Sequence, residues 1–228
     1  TTFQQVGVVG VGAMGRGIAQ IAAQAGSTVW LFDTQPAAIE AAIAALNDTW
    51  QKLAAKGKLS AEQAQACSAR LRVAHAVTDL AGCDMVVEAV VERLEVKKSL
   101  FAQLESVVGE GAVLATNTSS LSVTAIAQGL THAQRLAGFH FFNPVPLMKV
   151  VEVIAGLKTA PEVCQQLAAF AKAMGHTPVM AQDTPGFIVN HAGRGYGTEA
   201  LRIVGEQVAD FATIDRILKD QMGFKLGP

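Results

Sequence analysis

His140 and Glu152 stand twelve residues apart on two apolar runs, with the turn-forming Asn143-Pro-Val-Pro146 between them. If the chain folds back at that turn, the imidazole and the carboxylate come within hydrogen-bonding reach. Such a pair takes a proton from an alcohol near neutral pH, because the carboxylate orients the ring and stabilises the imidazolium that forms. A lone histidine in an apolar run has a plainer reading, a buried ring satisfied by a backbone carbonyl. Two other groups of residues favour the chemical one.

The first is Gly10-Val-Gly-Ala-Met-Gly15, a G-x-G-x-x-G that follows a strand-like run and opens a helical one. Gly10 permits the tight turn, Gly12 lets a pyrophosphate approach the backbone, and Gly15 allows close helix–strand packing. The amides around Ala13 and Met14, at the helix start, then receive the phosphate charge. Asp33 closes the next strand about twenty residues on, where its carboxylate can bind ribose hydroxyls and repel a 2′-phosphate; NAD is favoured over NADP. The second group is Ser119 and Asn190, which can donate or orient hydrogen bonds to a developing carbonyl oxygen. By themselves, Ser119 in Asn117-Thr-Ser-Ser120 reads equally as a helix N-cap, and Asn190 as a helix-surface residue.

The elements that must position these residues alternate. Strands are expected at Val6–Gly10, Thr28–Phe32, Leu71–Ala76, Met85–Ala89, Val113–Ala115, Leu136–Phe142, Val150–Ile154 and His176–Met180. Helices are expected at Met14–Ala25, Pro36–Lys56, Ser60–Arg70, Leu94–Val108, Ser122–Gln128 and Glu162–Met174. Ser60 is a capping-type residue, with Glu62 one place early for a capping box. This order predicts an α/β, Rossmann-type, doubly wound and mainly parallel sheet, with the Leu136–Ile154 pair as antiparallel strands at one edge. The Asp183-Thr-Pro-Gly186 turn marks a boundary: residues 1–184 form an NAD-binding domain, and 185–228 begin an all-α C-terminal domain with helices at Phe187–Glu206 and Thr213–Gln221. The sequence stops at Pro228 before a helical domain closes its core, so the natural chain is expected to continue.

Half of the 228 residues are hydrophobic and only 16% charged, enough for a sizeable core. With 18 basic against 19 acidic residues and a net charge of −1, nothing suggests a nucleic-acid partner, although single lysines can still meet a phosphorylated ligand. Cys67, Cys83 and Cys164 are odd in number and lack metal-ligand spacing, so they read as reduced structural thiols in a cytoplasmic protein, and no metal site is expected. No apolar run reaches the roughly 18 residues of a membrane span.

Five blocks, in order, resemble the L-3-hydroxyacyl-CoA dehydrogenase family: Gly10–Ala19, Val86–Glu92, Asn117–Ser120, the His140–Glu152 stretch and Asp183–Asn190. The Gly138-Phe-His-Phe-Phe-Asn-Pro144 segment is the most specific of them. The resemblance is strongest to bacterial 3-hydroxybutyryl-CoA and 3-hydroxyadipyl-CoA members, hence to fatty-acid or phenylacetate catabolism. It implies NAD-dependent oxidation of an (S)-3-hydroxyacyl-CoA to the 3-ketoacyl-CoA, and a homodimer built through the helical domain. His140 is then the base and Glu152 its orienting carboxylate, with Ser119 and Asn190 at the substrate oxygen and nicotinamide end. Glu92, Lys97 and Asn117 match cofactor contacts, and Thr49 and Lys56 match contacts to CoA. Read only as residues, Glu92 and Lys97 are also an exposed pair at a helix start, and Lys56 with Lys52 and Lys58 a solvated helix end. His191 departs from the pattern, where arginine is common.

Two alternatives stay open. A 3-hydroxyacid dehydrogenase of the 6-phosphogluconate or hydroxyisobutyrate type shares the glycine motif, but uses a catalytic lysine and lacks the His-Phe-Phe-Asn-Pro block. A non-catalytic NAD-binding or structural relative would keep the fold without the turnover.

Overall fold

The computed structural model describes residues 3–228, which fall into two compact units divided between Thr184 and Pro185. In the first, β1 (Gln5–Val9), α1 (Ala13–Gln24) and β2 (Thr28–Phe32) form the opening β-α-β unit. There follow α2 (Pro36–Ala55), α3 (Ala61–Ala69), β3 (Leu71–Val73), β4 (Met85–Glu88), α4 (Leu94–Val107), β5 (Val113–Thr116), α5 (Val123–Ile126), β6 (Leu136–Phe141), β7 (Val150–Ala155), α6 (Pro161–Ala173) and β8 (Thr177–Gln182). One eight-stranded sheet takes the order β3-β2-β1-β4-β5-β6-β7-β8. Strands β1 to β6 run parallel, β7 runs antiparallel to β6, and β8 runs parallel to β7.

The physical reason is in the strand composition. Every residue of β4, β5 and β6 is buried, as continuous apolar runs must be when helices cover both faces of a parallel sheet. Helix α1 turns Gly15, Ile18, Ala19 and Ala22 toward the sheet at helical spacing, and Trp50, Phe101, Phe139, Phe141 and Phe170 fill the interior. The chain order reverses between β1 and β4, so a crevice opens outside the carboxyl ends of those two strands. That is where Gly10 and the residues after Glu88 lie.

Three details differ from the expectations. The β6–β7 pair is not at the sheet's edge, because β8 pairs along β7 from Val150 to Ala155 and covers it. Strand β3 ends at Val73: the Asp79 carboxylate accepts the His75 and Ala76 amides and turns the chain away from β2. The capping box at α3 does form, but Gln63 closes it, with the Ser60 Oγ on the Gln63 amide and the Gln63 Oε1 on the Ser60 amide.

Asp183 ends the first unit by capping α5. Its carboxylate accepts the Ser122 hydroxyl at 2.7 Å and the Val123 and Thr124 amides at 2.9 and 2.8 Å. Burial works against its charge, yet the hydrogen bonds from Thr124, Ser122 and Val123 hold the carboxyl below its ordinary range. A folded-state value below the unfolded one means the stabilisation is present above the unfolded value and is lost as pH falls through the folded one. Asp183→Asn should therefore cost about 1–2 kcal/mol at neutral pH and progressively less below roughly pH 4. Denaturant melts across this range check it; a constant difference at every pH would remove Asp183's charge from the account.

The second unit is a helical pair, α7 (Val189–Gly205) and α8 (Phe211–Met222). Helix α7 starts two residues later than expected, and α8 two residues earlier, because the Asp210 carboxylate caps it through the Thr213 amide at 2.7 Å. Tyr196, Ile203, Ile217 and Leu218 line an apolar groove between the two helices.

Candidate active site

The glycine loop is built as a phosphate cradle. Gly10 has φ +89°, and a Cβ there would stand 2.7 Å from the Ala89 carbonyl oxygen. At Gly15 a Cβ would lie 1.8 Å from the Gly10 oxygen, so only glycine lets α1 start this close to the turn. Gly12 is different: a Cβ there meets nothing within 4 Å, so its missing side chain leaves room outside the protein's own packing. Gly12 is the N-cap of helix α1, which has no side-chain cap and no acid in its first turn. Its amides at Ala13 and Met14 thus remain available to an anion. Asp33 accepts the Val11 amide at 3.1 Å and the Gln35 amide at 3.0 Å, which fixes its carboxylate at the rim of the same loop. From there a cleft of about 750 Å³ continues past Val77, Val91 and Leu100, apolar walls suited to a base. These residues fit NAD: amides for the pyrophosphate, Asp33 for the ribose, and the valines and leucine for the adenine.

The dyad is a product of strand register. His140 and Glu152 are direct cross-strand partners in the antiparallel β6–β7 ladder, and the His140 Nδ1 lies 2.7 Å from the Glu152 Oε2. An ionised carboxylate only accepts, so in a bond to it the Nδ1 is the donor. Glu152 is fully buried and His140 nearly so, at 5% exposed. The second flank of Glu152 is closed by β8, where Val179 is its register partner. The Phe142 ring lies 4.5 Å from the imidazole, centroid to centroid. Phe139 and Phe141 are core, whereas Met148 in the same stretch is 45% exposed.

Ser119 lies in the loop after β5. Its amide donates to the Glu92 Oε1 at 2.8 Å, alongside the Thr118 hydroxyl at 2.6 Å and the Ser120 amide at 3.2 Å. The N-cap alternative for Ser119 does not hold: Ser122 caps α5, accepting the Ala125 amide. The Asn117 Oδ1 accepts the Phe141 amide at 2.9 Å and so ties this loop to the strand that carries His140. Asn190 is in the first turn of α7, in the second unit. Its neighbour His191, at the position where the family pattern favours arginine, places Nδ1 3.3 Å from the Pro185 carbonyl.

Lys97 is not the exposed helix-start residue of the plainer reading. It is 1% exposed, and its ammonium lies against the Glu88 Oε1 at 2.5 Å and the Glu92 Oε2 at 3.2 Å. Glu88 also accepts the Val90 amide and the Thr116 hydroxyl. Burial opposes the charge on Glu92, but bonds from Thr118, Ser119 and Lys97 keep its carboxyl below the usual range. Sequence reasoning missed Glu88, Thr116 and Thr118. A signal for Glu88 existed: a carboxylate inside the apolar run Met85-Val-Val-Glu-Ala89 must find a partner. Thr49 bonds back to the Ala45 carbonyl within α2, and the exposed Lys56 follows α2 as its C-cap. Lys52 is engaged with Asp48 at 2.6 Å.

A mainly parallel sheet in this strand order, with a glycine-rich turn at its switch point and a helical unit after it in the chain, defines a Rossmann-type NAD-binding protein. The model of the 3-hydroxyacyl-CoA dehydrogenase NAD binding domain matches residues 5–184, and that of the 3-hydroxyacyl-CoA dehydrogenase C-terminal domain matches residues 186–228. The chain belongs to the 3-hydroxyacyl-CoA dehydrogenase family. It is 47% identical to the 3-hydroxyadipyl-CoA dehydrogenase of Escherichia coli K12 over 99% of its own length and 47% of the relative's. It is 39% identical to a probable 3-hydroxybutyryl-CoA dehydrogenase of Deinococcus radiodurans, over 97% of this chain and 80% of that one. A crystal structure of 3-hydroxybutyryl-CoA dehydrogenase from Escherichia coli K12 superposes with a TM-score of 0.95 at 46% identity, covering 99% of this chain and 48% of that chain. The chain thus spans about half the length of its Escherichia coli relatives and four fifths of the Deinococcus one.

Proposed function

We propose that the protein oxidises (S)-3-hydroxyacyl-CoA thioesters to 3-ketoacyl-CoA with NAD, in fatty-acid or aromatic-acid catabolism. The observation that carries this is the buried His140–Glu152 pair, held at 2.7 Å by ladder register. NAD, when bound, supplies the hydride acceptor. The chain's residues do the rest. His140 takes the hydroxyl proton on Nε2, and Glu152 holds the ring's orientation and balances the imidazolium. The family resemblance gives Ser119, and separately Asn190 of the second unit, the role of hydrogen-bonding the oxygen as it becomes a carbonyl. Gly12, Ala13, Met14 and Asp33 hold the cofactor, and Thr49 and Lys56 on the α2 side meet the CoA moiety. A cytoplasmic homodimer, formed through the helical domain, goes with this reading; no helix among the described residues is long and apolar enough to cross a membrane.

The test is NADH formation by the protein with a series of 3-hydroxyacyl-CoA chain lengths, a dicarboxylic 3-hydroxyacyl-CoA and a free 3-hydroxy acid. Turnover of thioesters with little of the free acid is expected. A preference for the free acid would favour the 3-hydroxyacid dehydrogenase alternative, and NAD binding without turnover the non-catalytic one. The lysine-centred alternative has less support, since that group lacks the His-Phe-Phe-Asn-Pro block in which His140 meets Glu152.

A further inference from the structure

We infer that Val145 is a positioning residue: seated on α1 at Gly17 and locked by His176, it sets the distance from the His140–Glu152 pair to the phosphate cradle. This deepens the proposed dehydrogenase reading and rests on it. The turn after β6 leaves the sheet at the same edge as the Gly10 turn, since β6 runs parallel to β5, β4 and β1. Along the connection from Asn143 to Lys149, Val145 is the buried residue, at 1% exposed, between neighbours that are half-buried or exposed. Its side chain rests on α1 where that helix has no side chain of its own. A Cβ at Gly17 would stand 2.8 Å from the Val145 Cβ and 3.0 Å from its Cγ2, whereas the Pro146 Cδ would be in ordinary contact at 3.7 Å. Gly17 lies about one helical turn along α1 from Ala13, whose amide faces the phosphate.

The Val145 backbone is fastened from the other side. His176, 4% exposed, lies just before β8 and places Nε2 2.9 Å from the Val145 carbonyl; a carbonyl only accepts, so the ring donates. The second ring nitrogen lies 3.2 Å from the carbonyl of Met174, the C-cap of α6, and the ring meets Phe141 edge-on with centroids 5.5 Å apart. One imidazole thus touches the turn, the end of α6 and the strand that carries His140. Helix α1 presents the phosphate amides and the β6–β7 hairpin presents the base, so the Val145–Gly17 contact is a spacer between hydride acceptor and proton acceptor. Rate depends on that spacing: a misplacement of about 1 Å can cost on the order of a hundredfold.

The experiment is a size swap, read as kcat with a 3-hydroxyacyl-CoA and as NAD affinity by fluorescence titration, at a temperature where each variant is folded. Gly17→Ala puts a methyl into the contact, and relief to an ordinary carbon–carbon separation of about 3.5–4.0 Å takes a shift of about 1 Å. Ile18, Ala19, Ile21 and Ala22 hold α1 in the core, whereas the turn is held chiefly by Val145, so the turn gives way. The expected result is a kcat about ten- to a hundredfold lower, with NAD affinity within about threefold of wild type. Val145→Gly removes both atoms that the methyl meets, so in that background Gly17→Ala should change kcat by less than about threefold. Multiplying effects of the two changes would overturn the inference, as would a loss of NAD affinity in step with kcat. If Gly17→Ala does not fold, His176→Leu and His176→Gln take its place. Leucine leaves the Val145 carbonyl without its donor and should lower kcat about tenfold, while glutamine, which can donate from nearly the same position, should recover most of that loss. Equal rates in these two variants would overturn the locking role of His176. Wild-type protein without turnover overturns the dehydrogenase reading and this inference with it; normal turnover in Gly17→Ala overturns this inference alone.

Discussion

His140→Gln is expected to lower kcat by about a thousandfold, the middle of the range for a general base, while NAD affinity stays near wild type. The reasoning is geometric. The imidazole sits on β6, held by Glu152, whereas the phosphate cradle belongs to the β1–α1 turn. Removing the base takes away proton transfer and leaves the amides of that turn untouched. Glu152→Gln should lose less, because the Nδ1 proton can still be donated to an amide oxygen while the counter-charge to the imidazolium disappears. Steady-state rates with a 3-hydroxyacyl-CoA and a parallel NAD titration decide the matter. Near-normal turnover in His140→Gln would take the histidine out of the chemistry.

Gly15→Ala should be the most damaging single methyl in the chain, and Gly12→Ala its informative counterpart. At Gly15 the new Cβ would fall 1.8 Å from the Gly10 oxygen, so α1 must move off the loop. A loss of at least 3 kcal/mol of stability, with NAD binding abolished, is expected from such overlap. At Gly12 the Cβ meets nothing within 4 Å, and φ is −61°, an angle alanine accepts. Its thermal midpoint should stay within a few degrees of wild type, yet NAD affinity should fall at least tenfold, because the methyl stands where the pyrophosphate approaches. Thermal melts and NAD titrations of both variants test the cradle. Equal destabilisation at the two positions would mean that Gly12 serves packing rather than phosphate access.

Cys83 offers a smaller consequence of the same core. Burial, with the nearby Asp84 charge, pushes its thiol up to about 12. All three cysteines are buried and none forms a disulfide.

Much of this protein was legible in its residues. The apolar runs, broken by Gly and Pro, define the strands, and the period of Ile18, Ala19 and Ala22 defines α1, because burial against a sheet leaves those patterns directly in the chain. The tight turn at Gly10 and the close approach at Gly15 were legible for the same reason: the constraint on each residue is local. Boundaries were less so. Strand β3 ended early because Asp79 competes for its amides, a contest that depends on where one carboxylate swings.

What tertiary structure decided was pairing between distant residues. The spacing of His140 and Glu152 permitted a contact, but the ladder register made it, and β8 sealed it by covering the far side of β7. Nothing local distinguishes Lys97 from its half-buried neighbour Lys98 on α4; only the fold turns one ammonium inward between Glu88 and Glu92. A residue's type and neighbours state what it can do. Which partner it meets depends on closing long loops, and that is settled only when the sheet is assembled.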